Sequence, residues 1–206
     1  MPYTLTQVIN RVSTVLHDTS TAIWGTAAIG QAIDDGLVEI AMYSPRVVLA
    51  TVTPVSGTPD LDISGTAYAD LLYGYSKDSI DEVEFQVDKE PKRFRNFSVH
   101  HQKITMDISF EPDGTDSARL YLKKAHVLGG AGTSSLSPEM ERLLIDLVAA
   151  KLAKNVSIDA IGEITIGGAQ TFNQYITWGR ERLDEVKKEL RRLAPSNISV
   201  EYPRVV

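Results

Sequence analysis

The apolar residues of this chain change their period twice, and that change constrains the fold more than any motif does. Near the start, Leu5, Val8, Ile9, Val12, Val15 and Leu16 recur at the spacing that lines one face of a helix. In the middle, Val83, Phe85 and Val87 alternate with Glu84, Gln86 and Asp88, the two-residue period of a half-buried strand. Beyond Ser137 the helical period returns with Leu143, Leu144, Leu147, Val148 and Leu152. Helices with one apolar face must bury it against another element. The order therefore predicts an α+β fold, with N- and C-terminal helices packed together and an antiparallel β module inserted between them.

Local signals place the boundaries. Thr4 and Gln7 form a capping-box start, and His17–Thr21 is a polar break. After Trp24 a second helical pattern runs through Ala28, Ile29, Ala32, Ile33, Leu37, Ile40 and Ala41, until Ser44-Pro45 stops it. Residues 1–46 thus read as a helical hairpin. Residues 47–128 read as the β module. Val47–Val55 is β-branched, and Ser56–Asp60 is a turn before Leu61 and Ile63. Phe94–Val99 and Ile104–Phe110 alternate about a bend at His100–Lys103, and Ala118–Val127 is the last strand. Consecutive short strands predict an antiparallel meander or small sandwich, with Glu111–Asp116, a Pro-Asp-Gly turn, as a hairpin connection.

Residues 129–194 read as helices that form one domain with 1–46. Ser137-Pro138-Glu139 supplies a cap, a proline at the first position and an acid in the first turn. Asn155–Gly168 interrupts the pattern. A long helix follows over about Ala169–Leu193, its apolar stripe being Phe172, Ile176, Leu183, Val186, Leu190 and Leu193. Its other face carries Arg180, Glu181, Asp184, Glu185, Lys187, Lys188 and Glu189, with Asp184–Lys188 spaced for an i,i+4 pair. Pro195 ends it, and residues 195–206 form an extended, partly apolar tail.

Composition removes chemistry. The chain has no cysteine, which excludes disulfides, thiolate catalysis and cysteine-ligated zinc. A formal net charge of -6 argues against a surface that grips nucleic acid through phosphates. The start has no basic segment and no apolar run, so no signal peptide is read; the apolar stretches are too short to span a bilayer. A soluble chain made in a cytoplasm is expected, with no membrane contact, and the Asn-x-Ser triplets at Asn96, Asn155 and Asn197 then carry no meaning.

No catalytic or metal site emerges. His100 and His101 are adjacent at a strand end and point to opposite faces, so they read as solvent-facing turn residues. His126 reads as a partner-facing or lone exposed strand histidine, and His17 lies in the polar break. The carboxylate pairs Asp34-Asp35, Asp60/Asp62, Asp81-Glu82 and Asp113/Asp116 are not singled out by any spacing. Asp113–Asp116 lacks the rest of a calcium loop. Gly129–Ser135 lies between a strand and a capped helix, where backbone amides can cradle phosphate. It lacks the Gly-Lys-Ser/Thr ending and the Gly-x-Gly-x-x-Gly spacing, and reads first as a hinge. No enzyme and no cofactor are expected.

The layout resembles a known family. A helix, a loop with Trp24, a second helix containing Ile33-Asp34-Asp35-Gly36-Leu37-Val38-Glu39-Ile40-Ala41 and a Ser44-Pro45 stop resemble the head-to-tail connector proteins of tailed bacteriophages. These are the neck adaptors, or gatekeepers. Leu120–Ser135 leading into Leu136–Leu143, an aliphatic helix and a long amphipathic helix match the same plan, so the resemblance spans roughly 1–50 and 118–194. It implies a structural virion protein of the neck. Such a protein is a homo-oligomer, a dodecameric ring coaxial with the portal, that joins portal to tail and lets DNA pass without sequence-specific binding. Net acidity suits such transit better than a basic lining.

The resemblance also implies roles for residues. Ile198, Val200, Tyr202, Arg204, Val205 and Val206 would dock on the portal protein or a neighbour. Arg180, Glu181, Asp184, Glu185, Lys188 and Arg191 would meet the adjacent subunit. The hairpin with Glu111, Asp113 and Asp116 would face the tail or stopper protein. The alternatives are another tail-completion or stopper protein of the neck, or a phosphate- or nucleotide-binding enzyme using Gly129–Ser135.

Overall fold

The computed structural model describes residues 3–20, 23–129, 134–159 and 168–194, and of 156–159 and 168–172 the backbone alone. Among the described residues, four α-helices and two antiparallel three-stranded sheets make an α+β fold. The chain divides into two compact units: Met1–Ser44 with Val127–Val206, which holds the helices, and Pro45–His126, which holds the sheets.

In the helical unit α1 (Leu5–Val15) starts where Thr4 accepts the Gln7 N–H at 3.3 Å and donates its own N–H to the Gln7 side chain at 2.9 Å. Both bonds satisfy backbone donors that a helix start leaves free. The helix ends as His17 turns left-handed (φ 56°) and the Asp18 N–H reaches the Ser13 carbonyl at 2.9 Å. The polar break is not a loose linker. The buried Asp18 carboxylate accepts the N–H groups of Ile23 and Trp24, each at 2.9 Å, and so turns the chain into α2 (Thr26–Tyr43). That helix stops one residue before Ser44-Pro45.

Two further helices, α3 (Pro138–Asp159) and α4 (Gly168–Leu193), complete the unit. The third continues past Asn155, where the sequence pattern suggested an interruption, because Asn155–Asp159 contains neither glycine nor proline to break it. The apolar stripes of all four meet in one core that includes Val8, Val12, Leu16, Ile29, Ile33, Ile40, Leu144, Leu147, Val148, Val186 and Leu190. Burying each such side chain contributes about 1.5–3 kcal/mol against leaving it in water.

Glycines set how closely the helices approach. A Cβ at Gly36 of α2 would lie 2.8 Å from the Leu144 side chain, and one at Gly179 of α4 would lie 2.8 Å from the Ala150 carbonyl oxygen and 3.1 Å from the Lys154 nitrogen. The second obstacle is backbone and cannot step aside. Charges then join the helices at their rim: Glu39 of α2 pairs with Lys151 of α3 at 2.6 Å and with Lys187 of α4 at 3.8 Å.

The β unit holds β1 (Arg46–Val52), β2 (Asp60–Asp62), β3 (Ile80–Phe85), β4 (Phe97–His100), β5 (Lys103–Met106) and β6 (Ala118–Lys124). One sheet has the order β1-β6-β3 and the other β2-β5-β4, all neighbours antiparallel. Only β4 and β5 form a tight hairpin, turned by His101 at φ 53°. The meander reading is thereby corrected: β6 pairs with β1 and β3, which precede it by many residues. Leu61, Ile63, Val83, Phe85, Ile104, Met106, Leu120 and Leu122 from both sheets share one core.

The expected hairpin at Glu111–Asp116 does not exist, since its flanking strands, β5 and β6, lie in different sheets. Its turn chemistry is genuine but local. Gly114 adopts φ 82°, Asp113 accepts the Thr115 N–H at 2.9 Å, and the Pro112 carbonyl accepts the Gly57 N–H at 2.8 Å. Turn residues specify a reversal, not the strand that follows, and the 107–117 connection is long enough to cross between sheets.

Two pairs of substitutions test this packing. Gly179→Ala should destabilise by about 1–3 kcal/mol despite its better helix propensity, because overpacking prevails. Gly30→Ala, in α2 with nothing within 4 Å of the new Cβ, should instead stabilise by roughly 0.5–1 kcal/mol. Urea unfolding of both would decide, and equal effects would refute the close approach. Asp18→Ala should cost about 1–3 kcal/mol by stranding two amide donors, while Asp18→Asn, which keeps an acceptor, should cost less in the same assay.

Candidate functional site

The long helix offers the broadest polar surface. Its inward face, Gly179, Val186 and Leu190, is buried, and Leu183 and Leu193 are partly so. At 3.6 residues per turn the opposite face holds Thr177, Arg180, Glu181, Asp184, Lys188 and Arg191, every one exposed. The structure thus groups five of the six expected inter-subunit residues on one solvent-facing stripe. The sixth, Glu185, is exposed but already bound to Arg182 at 2.7 Å. The Asp184–Lys188 pair does not form; the ion pairs within α4 are Arg182–Glu185 and Arg192–Glu189, both spaced by three.

Trp178 stands beside that stripe, 37% exposed, over a shallow hollow lined by Asn173, Gln174, Thr177 and Glu181. A half-exposed indole on a polar helix face is uncommon, since tryptophan usually buries its area. Between α3 and α4 lies an open groove of about 430 Å³ lined by Glu139, Asp146, Arg182, Glu185, Glu189 and Arg192 among others. Two ion pairs line it: Arg182 meets Asp146 at 2.8 Å and Arg192 meets Glu139 at 3.2 Å. The hydrogen bond to Glu185, followed by the attraction of Asp146, holds the Arg182 proton more tightly than usual. This groove is a seam between α3 and α4, bridged by the Arg182–Asp146 and Arg192–Glu139 pairs.

The other expected sites separate. Glu111 and Asp113 are exposed, and the Thr115 hydroxyl and N–H hold the Asp113 carboxyl below its ordinary value. Asp116 turns back to its own unit, where it accepts from Gln86 at 2.7 Å and pairs with Lys89 at 3.4 Å. Ile198, Val200, Tyr202, Arg204, Val205 and Val206 lie outside the described residues, as do 130–133 of the glycine-rich stretch. At the ends of that stretch Ser134 and Ser135 bond the backbone of Leu136 and Val127. His100 and His101 are exposed, but His126 is buried, against the exposed reading. Among the described residues no group of His, Asp or Glu could hold a metal ion.

Two features escaped the sequence pattern. Alternation placed Glu84 toward solvent, yet it is buried, accepting from Arg119 at 3.3 Å and from the Tyr121 hydroxyl at 3.1 Å. The cause is residues 93–95, which pair with the outer edge of β3 and bring Phe94 against Tyr121, ring centroids 6.2 Å apart. Glu82, next on that face, has its carboxyl raised by burial first and by Asp81 and Glu84 second. The second feature is β1, whose Val47 and Leu49 are 47% and 56% exposed.

No family model matches the chain, and no curated protein matches it.

The Glu82 shift has a defined sign. A carboxyl whose folded value lies above its unfolded value costs stability as pH rises past the ordinary 4.5. Glu82→Gln should therefore stabilise the protein at neutral pH, and the gain should vanish below the carboxylate range. Thermal melts of both proteins at pH 7 and at acid pH would measure it. A pH-independent difference would contradict the charge origin.

Proposed function

We propose that this chain is a structural virion protein of the tailed-phage neck: a ring-forming adaptor that joins the portal to the tail and extends the DNA channel. The observation that carries the reading is the exposed stripe of α4. It presents Arg180, Lys188 and Arg191 beside Glu181 and Asp184, on a helix whose other face is committed to the core. The α2 helix carries Asp34, Asp35 and Glu39 and no basic residue. Glu39 is used within the chain, whereas Asp34 and Asp35 are exposed beside the exposed Val38 and Met42.

A ring needs two different surfaces that fit each other, because each copy gives one face and takes another. A basic and acidic stripe on α4 and an acidic face on α2 meet that need. Complementary charge would fix register and speed association more than it would add affinity. The arrangement of a helical unit closed by both chain ends, with a β unit inserted, supports the same reading, since it resembles the plan of the connector family. Portal, tail or stopper protein and passing DNA are the partners this role implies, in the virion neck.

Light scattering of the chain alone and with portal protein tests the proposal. A ring-sized assembly in either sample is expected, weakening as salt rises. Arg180→Glu combined with Lys188→Glu should lower assembly while leaving the melting temperature within a few degrees, because both side chains are exposed. A chain that stays monomeric with portal present would refute the role.

A further inference from the structure

The sheet β1-β6-β3 has one closed edge and one open edge. Residues 93–95 cover β3: the Phe85 N–H donates to the Arg93 carbonyl at 3.0 Å and the Arg95 N–H to the Val83 carbonyl at 2.9 Å. On the far side, among the described residues, β1 has β6 as its only strand neighbour and no backbone hydrogen bond reaches its outer side. Proteins usually blunt such an edge with a charge, a proline, a bulge or a very short strand. Past its first residue, Arg46, the β1 strand has none of these. It is seven residues long, pairs with β6 without a register break, and carries no charge or proline after Arg46. Its outward residues Val47 and Leu49 are exposed, and Leu49 pairs with Tyr121, which touches Phe94. An apolar strip therefore crosses the outer face and ends at the open edge.

The sequence contains a segment of matching length and pattern. In Asn197–Pro203, Ile198, Val200 and Tyr202 alternate with Ser199 and Glu201. Pro203 lacks an N–H and suits the end of an edge strand. We propose that residues 197–203 of one copy add as a fourth strand to the open edge of β1 in a neighbouring copy. Backbone hydrogen bonds would supply the affinity, and Ile198, Val200 and Tyr202 would extend the strip begun by Val47 and Leu49. Strand and edge are different surfaces, so each copy can give one and receive the other around a ring. The inference rests on the reading of the chain as a self-assembling adaptor.

The absence of cysteine allows a direct test in the full-length chain. One population carries Val200→Cys. A second carries Val47→Cys, Leu49→Cys or Thr51→Cys, one at a time. They are mixed, assembled with portal if assembly requires it, oxidised, and resolved without reductant, with Ile23→Cys as an exposed control. At least one β1 position should give a mixed disulfide dimer about tenfold above the Ile23 control, as a held contact raises local concentration. Mixed links at the control level would overturn the proposal. So would a Leu49–Leu49 dimer in excess, which would mean that two β1 edges pair with each other. So would a link at monomer mass in a chain carrying both substitutions, which would place the segment on its own copy. Light scattering of the same samples separates the two readings: assembly without mixed links defeats the strand alone, whereas no assembly at all defeats the adaptor role with it.

Discussion

The near contact of α3 with α2 and α4 governs the helical unit. Gly36 lets Leu144 and Val148 of α3 press on the backbone of α2, and Gly179 lets α4 lie against Ala150 and Ala153. Each glycine sacrifices about 1 kcal/mol of helix propensity relative to alanine. What offsets that loss is the packing of neighbouring large side chains, which a wider helix spacing would leave short of contacts. Because α3 touches α1, α2 and α4 alike, the first forty-four residues and the last helices form one body. Both ends of the inserted β unit thus connect along the chain to the same unit. Glu39 reinforces the arrangement at the rim by reaching both Lys151 and Lys187.

Polar burial organises the β unit in a different way. Glu84 sits in the outer face of a sheet, closed over by the segment that carries Phe94, and one of its carboxylate oxygens has no hydrogen-bond partner. Burying a carboxylate is costly unless it is paired, and Arg119 with Tyr121 supply that pairing only for the other oxygen. Such a group contributes little to stability but penalises any register in which Glu84 loses Arg119. The closed edge of this sheet is therefore defined by chemistry as well as by backbone pairing. The open edge has no comparable device, and the contrast between the two makes β1 informative.

Much of the architecture was legible because it rests on period. The apolar periods of α1 and α2, the Thr4–Gln7 cap and the Ser44-Pro45 stop are all local and are realised, although Leu5, Val15 and Ala28 of those stripes are exposed. The exposed stripe of α4 followed from the same spacing. What the sequence concealed is non-local. Turn residues at Pro112–Gly114 announce a reversal without naming the strand beyond it, so a crossing between sheets looked like a hairpin. Alternation buried Val83 and Phe85 as expected, but could not foresee that a distant segment would cover Glu84. Asp18 appeared to be part of a polar break because its partners are backbone amides, which have no residue signature.

The two surfaces proposed for assembly differ in their physics, and the difference bears on how a ring could be built. Charged side chains on α4 attract over a distance set by salt, so they suit the first encounter and its orientation. The hydrogen bonds of an added strand act only at contact and hardly respond to ionic strength, so they suit locking. A charged stripe alone would leave a ring that salt dissolves, and surface ion pairs contribute little each. An open edge alone would pair with any available strand, its own copy's included. Used together, the first would select the neighbour and the second would hold it. Their locations agree with that division: the stripe lies on the helical unit and the edge on the β unit, so the two contacts would engage separate bodies of the adjoining subunits.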